Sequence, residues 1–216
     1  MSSITLHYIF DPFCGWCYGA SPLIEIAASQ PNIKLQLHGG GMLTGYNQVK
    51  IDDQWRQFLL DTDKQIASIT GQTFGDNYHQ LLQQNDVILD SLPPITAIIT
   101  ADELANKGLT MLKAIQTEHY IDGCRVSDED TLLQLAQQIG LDKQLFQQTF
   151  SMNKDEPTNK HIQSSRTLLH QVARSGFPTL IAQHNENLMV INLDKYFSQP
   201  QLWQKYLQNL STAYLS

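Results

Sequence analysis

The chain has 216 residues, 42% hydrophobic and 16% charged, with a formal net charge of −7. Such a length supports one substantial core, or a core with a subdomain, and an acidic balance without any Lys/Arg cluster argues against nucleic acid as a partner. No run approaches the roughly 18–20 apolar residues of a membrane-spanning helix, and the N-terminus lacks a secretory signal's basic start and long apolar stretch. A cytoplasmic protein with no membrane partner is expected.

Ile4 to Phe10 reads as a buried strand, broken by Asp11-Pro12. A helix is predicted from near Cys14 through Leu23, Ile24, Ile26 and Ala27 to a stop at Pro31-Asn32. Ile33 to His38 alternates at period two, a second strand with Ile33, Leu35 and Leu37 on one face, ended by Gly39-Gly40-Gly41. Strand, helix, strand with short links is a right-handed βαβ unit.

From about Asp52 to Ser175 the pattern is helical throughout. Trp55, Phe58, Leu59, Ile66 and Ile69 carry one segment, ended by Gly71. Pro93-Pro94 opens another, which Gly108 ends. Ser127 with Asp130 resembles a capping box ahead of Leu132, Leu135, Ala136 and Ile139, with Gly140 as the stop. Leu145, Phe146 and Phe150 form a short helix after Asp142, and Thr158 can cap a last one carrying Ile162, Leu168, Leu169 and Val172. Strand signals return at Thr179 to Ala182 and Asn187 to Ile191, joined across His184-Asn185-Glu186 as a hairpin. A closing helix carries Tyr196, Phe197, Leu202, Trp203, Tyr206 and Leu210. The order is β-α-β, a block of helices, then β-β-α: an α/β fold with a large all-helical insertion.

The chemistry centres on Cys14-Gly15-Trp16-Cys17, at the junction of the first strand and helix. A thiolate is the nucleophile in disulfide exchange. A free cysteine, with a pKa of about 8.5, supplies little of it at neutral pH, and a helix N-terminus corrects this with free N–H groups and a partial positive charge. Cys17, one turn on, faces the same side and can attack a mixed disulfide between Cys14 and a substrate. Gly15 leaves room for that substrate and Trp16 gives an apolar lip. No cation lies between the thiols, so moderate activation is expected, and Asp11, if close in space, would oppose the thiolate. A zinc site would need a second half-site, whereas the remaining candidates are one remote cysteine, Cys124, and seven histidines without ligand spacing. No metal is therefore expected. Three cysteines are also too few for a structural disulfide framework, and Cys124 reads as a free thiol in a loop or helix end.

Gly176-Phe177-Pro178-Thr179 precedes a strand. Proline there marks an edge, a bulge or a cis bond. Beside a CxxC in this element order, cis is expected.

With these residues in view, the chain resembles the thioredoxin-fold proteins of the DsbA group, and more narrowly the FrnE-like cytosolic thiol–disulfide oxidoreductases. The resemblance rests on residues 11–19 (DPFCGWCYG), 176–179 (GFPT) and 120–142 (YIDGCRVSDEDTLLQLAQQIGLD). It implies a thioredoxin-like domain from 1–50 and 176–216, a helical insertion domain over 51–175 forming a lid, and a protein-disulfide oxidoreductase or isomerase. Cys14 would be the nucleophile, Cys17 the resolving thiol, and Phe177, Pro178 and Trp16 the substrate-binding residues. Partners would be substrate proteins or small disulfides, with no cofactor beyond glutathione as a reductant. Some members carry a further C-terminal cysteine pair, and no cysteine follows Cys124 here. Kappa-class glutathione transferases and 2-hydroxychromene-2-carboxylate isomerases share the fold and generally place serine where Cys14 stands. A glutathione-dependent transferase or isomerase is therefore the second reading, and a redox-switched binding module or holdase the third. Glu25 could relay protons below the dithiol or sit in solvent, and His38 could line the site or be an exposed strand-end histidine. Trp55, Phe58, Tyr196 and Trp203 are expected in the core.

Overall fold

Nearly every side chain of Ile4–Phe10 (β1) is buried, as an uninterrupted apolar run demands of a central strand. The computed structural model describes residues 4–213, so the outer ends of the two segments assigned to a thioredoxin-like domain, 1–3 and 214–216, lie outside the described residues. β1 pairs in parallel with β2 (Ile33–Gly39) and antiparallel with β5 (Thr179–His184), which pairs antiparallel with β6 (Asn187–Ile191). The sheet order is β2-β1-β5-β6.

Strand alternation divides the core between the two faces. Leu6, Tyr8 and Phe10 pack with α1 (Gly15–Ala28) and α9 (Pro200–Ala213), where the Trp203 indole N–H donates to the Leu23 carbonyl at 2.7 Å. Ile9 and Ile181 point the other way, onto Leu168, Leu169 and Val172 of α8 (Glu156–Gln171) and the residues just after it. Both faces of the central strand are thereby covered.

Helices α2 (Asp53–Thr70), α3 (Asp76–Leu81), α4 (Leu92–Ala105), α5 (Gly108–Tyr120), α6 (Glu129–Gln138) and α7 (Lys143–Asn153) lie between β2 and α8 in the chain. This stretch is not purely helical: β3 (Val49–Lys50) and β4 (Ile88–Leu89) form a two-residue antiparallel ladder. Gly71 ends α2 with φ 77°, as its lack of Cβ permits, and Asp142 caps α7 by accepting from the Leu145 N–H at 2.8 Å. Asn106, at φ 53°, stops α4, while Gly108 opens α5 because a Cβ there would lie 2.9 Å from the Asp102 side chain. Ser127 does not cap α6. Its hydroxyl exchanges hydrogen bonds with the Asp90 backbone instead. Thr158 lies inside α8, fully buried, with its hydroxyl on the Asn153 carbonyl and the Thr96 hydroxyl. Phe58 is 57% exposed and Trp55 and Tyr196 are half-buried, so of the four aromatics expected in the core only Trp203 is fully enclosed.

Pro22 lies within α1 and has no N–H for the carbonyl one turn back, at Tyr18. The Gln72 side-chain amide fills that role at 2.9 Å and also reaches the Ser21 hydroxyl. Among the described residues, no helix is long and apolar enough to cross a membrane.

Candidate active site

β1 ends at Phe10 and the chain turns so that the Cys14 N–H bonds the Asp11 carbonyl at 3.1 Å. Cys14 becomes the N-cap of α1, with extended backbone angles, and its sulfur accepts from the Cys17 N–H at 3.4 Å. Its thiol also donates to the Phe177 carbonyl at 3.5 Å. Cys14 retains 7% exposure and Cys17 none, and both are free thiols. Phe177–Pro178 is a cis peptide bond, immediately before β5. Strands β1 and β5 are neighbours, which is why residues 163 positions apart meet at one point.

Burial pushes the Cys17 thiol well above the usual range, and the hydrogen bond and charge of Cys14 and the charge of Asp11 add to it. Burial likewise keeps the Tyr8 phenol protonated, and it donates to the Cys17 carbonyl at 3.2 Å. Asp11 is fully buried. Its carboxylate accepts from the Phe13 N–H (3.0 Å), the Ser91 hydroxyl (2.8 Å) and the Met42 N–H (2.6 Å), joining the cysteine turn, the loop after β2 and the start of α4. Desolvation raises its pKa while these donors and Arg166 pull the other way.

The loop after β2 carries the floor of the site. Arg166 of α8 donates to the carbonyls of Gly40 and Gly41, and His161 accepts from the Gly39 N–H at 2.9 Å. Gly40 has no room for a side chain, because a Cβ would sit 2.0 Å from the Phe177 ring. A cleft of about 830 Å³ opens beside the dithiol, lined among others by Trp16, Ile69, Phe177, Pro178 and Phe197, with Trp16 and Phe197 rings 5.9 Å apart. The helical side closes over the first turn of α1 with Phe74, Tyr78, His119 and Tyr120. Tyr120 stacks on Tyr18 at 4.6 Å, and His119 meets Phe13 edge-on at 4.9 Å.

No protein-family model matches the chain, and no curated protein matches it. Solved structures do. The cytosolic disulfide reductase DsbM from Pseudomonas aeruginosa superposes with a TM-score of 0.89 at 36% identity, covering 95% of this chain and 98% of that one. The chain belongs to the DsbA-like thioredoxin-fold family. It is a thiol–disulfide oxidoreductase. A second DsbM structure, with GSH, matches at a TM-score of 0.88 with the same identity and coverage. A candidate protein disulfide isomerase from Nitrosomonas europaea (TM-score 0.79, 21% identity, covering 96% of this chain and 97% of that one) shares the fold. So does a 2-hydroxychromene-2-carboxylate isomerase, at 0.60 and 12%.

In this DsbA-like oxidoreductase the minor candidates fall away from the dithiol. Glu25 faces solvent and pairs with Lys113 at 2.8 Å, with no place beneath the thiols. His38 is half-buried on the α8 side, hydrogen-bonded to His7 at 2.9 Å and stacked on His161, and burial lowers its pKa to about 4. Cys124 donates weakly to the Asp122 carbonyl, and desolvation with Glu118 pushes its thiol up to about 12. Among the described residues no group of three or more His, Cys, Asp or Glu is placed to hold a metal. Asp11, read in sequence only as a neighbouring charge, is the anchor of the turn. Arg166 and Asp63 were missed altogether. The available signal for Asp63 was a charge in phase with Leu59, Ile66 and Thr70 on the apolar stripe of α2.

Proposed function

We propose that the protein is a cytoplasmic reductase of protein or small-molecule disulfides, with Cys14 as nucleophile and Cys17 as resolving thiol. The single observation that carries the roles is the inequality of the two sulfurs. Cys14 sits at the helix N-terminus with residual exposure, and Cys17 is wholly enclosed. The Cys14 thiolate attacks one sulfur of a substrate disulfide, giving a mixed disulfide and releasing the other half as a thiolate. Cys17 loses its proton, attacks the Cys14 sulfur and displaces the second half. The enzyme is left with a Cys14–Cys17 disulfide and the substrate with two thiols.

Phe177, Pro178 and Trp16 bind the substrate in this reading, supported by their place on the cleft beside Cys14. Glutathione is the reductant. Two molecules return the enzyme to the dithiol and leave as one glutathione disulfide. Support comes from the relative with 36% identity, which is described as a cytosolic disulfide reductase and was solved with GSH.

The test is reduction of insulin with glutathione as electron source. Cys14→Ser should abolish turnover, and Cys17→Ala should accumulate a mixed disulfide on Cys14 identifiable by mass. Unchanged turnover in Cys14→Ser would overturn the proposal.

A further inference from the structure

Helix α2 packs flush on α1 because α1 presents two glycines four residues apart. A Cβ on Gly15 would lie 2.7 Å from the Ile66 side chain, and one on Gly19 would lie 2.9 Å from Thr70. The same contact brings a carboxyl group to the first turn of α1, between the two cysteines in the chain. Asp63 Oδ1 would lie 3.3 Å from a Gly15 Cβ, so it stands beside the residue that follows Cys14, at the N-terminal end of α1.

Asp63 is 3% exposed, and no cation pairs with it among the described residues. Its one side-chain hydrogen bond among the described residues comes from the Tyr78 hydroxyl of α3 at 2.9 Å. The Tyr120 hydroxyl of α5 is buried without a partner among the described residues and lies within electrostatic reach of Tyr78, Cys14, Asp63 and Cys17, a group centred on its ring. His119 joins it through its ring contact with Tyr78. Asp11 faces Cys17 from the sheet side, but its three donors and Arg166 hold it in place. Asp63 has a single donor against a large burial penalty, and its pKa rises to about 7. Asp63 therefore changes charge near neutral pH.

We propose that Asp63 is a charge switch on the dithiol. Protonated, it leaves the positive end of α1 and the Cys17 N–H to favour the Cys14 thiolate unopposed; ionised, it sets a second negative charge beside that helix end and disfavours the thiolate. It acts through Cys14 and is a positioning residue, resting on the reading of Cys14 as nucleophile.

The experiment follows alkylation of Cys14 by iodoacetamide, read at the peptide by mass, from about pH 5 to about pH 10. The protein is the full chain carrying Cys17→Ala. The rate should rise in two steps, with an inflection near neutral pH where Asp63 ionises. Adding Asp63→Asn should leave one step and raise the rate several-fold at pH values above that inflection. Tyr78→Phe removes the hydrogen bond that favours the carboxylate and should move the inflection to higher pH. Packing changes alone would alter neither the number of steps nor their position. A curve for Asp63→Asn that superimposes on its parent overturns the proposal. Should Asp63→Asn not fold, an unmoved inflection in Tyr78→Phe overturns it equally. Alkylation uses no substrate disulfide, so it reports the coupling even if the mixed-disulfide trap fails.

Discussion

Gly40 shows how little freedom the site has at single positions. The Phe177 ring lies where any side chain on residue 40 would begin, and Arg166 fixes the carbonyls of Gly40 and Gly41 from below. Gly40→Ala must therefore push Phe177 out of place rather than shift the loop. It should cost roughly 1–3 kcal/mol, the usual range for overpacking, and raise KM for insulin more than it lowers kcat. Urea denaturation and steady-state kinetics check both. Residues of this kind were half-legible in the sequence. Cys14, Cys17 and Pro178 announce themselves by type and order. Gly40 was visible only as one of three glycines ending a strand, since its meaning depends on a phenylalanine 137 residues later. Asp63 was hidden for a similar reason: a lone acid on an apolar stripe becomes informative only once the glycine face of α1 is known to lie against it.

Among the elements, α1 depends on a partner outside itself. Pro22 strips the Tyr18 carbonyl of its intrahelical donor and the Gln72 amide replaces it. Gln72→Ala should leave that carbonyl unpaired at a cost of about 1 kcal/mol. In a Pro22→Ala background the same change should cost clearly less, because an alanine at that position supplies its own N–H to the carbonyl one turn back. A double-mutant cycle by urea denaturation measures the difference, and equal costs in both backgrounds would contradict the assignment. Helix ends were read well where one local rule decided them, as at Gly71 and Asp142. They were misread where tertiary structure recruited the capping residue. Ser127 bonds the Asp90 backbone, and Thr158 bonds across to Thr96. The β3–β4 ladder escaped notice because two residues per strand carry no period.

For the molecule as a whole, enclosed titratable groups give stability a pH dependence, and His38, His119 and Asp63 show its two signs. Burial holds His38 and His119 at about 4. The unfolded chain takes up protons on these histidines below about 6.5, and the native state refuses them. Their contribution to stability is complete above about 6.5 and falls as the pH drops toward 4; for His119 the loss is about 3 kcal/mol. Asp63 has the opposite sign. Its native pKa of about 7 lies above the ordinary carboxyl range, so it favours the folded state at low pH and loses that contribution as pH rises through 4 to 7. Between about pH 6.5 and 4 the histidine loss and the Asp63 gain oppose each other, so urea denaturation of Asp63→Asn should show a steeper fall in stability than the wild type. Equal slopes in the two proteins would contradict the assignment. The fold at this scale was largely legible: the order of strands and helices, and the sheet they imply, follow from period and punctuation. Which helix covers which face was not, because β1 is apolar on both sides and its sequence favours neither.

The hydrogen bond from Cys14 to the Phe177 carbonyl carries one more implication. While the thiol keeps its proton, it takes up one of the two acceptor positions of that carbonyl. When the proton leaves, sulfur has nothing to donate and the position is released. With Phe177 in its proposed place against the substrate, ionising Cys14 then both arms the sulfur and frees an acceptor beside it, two changes made by the loss of one proton.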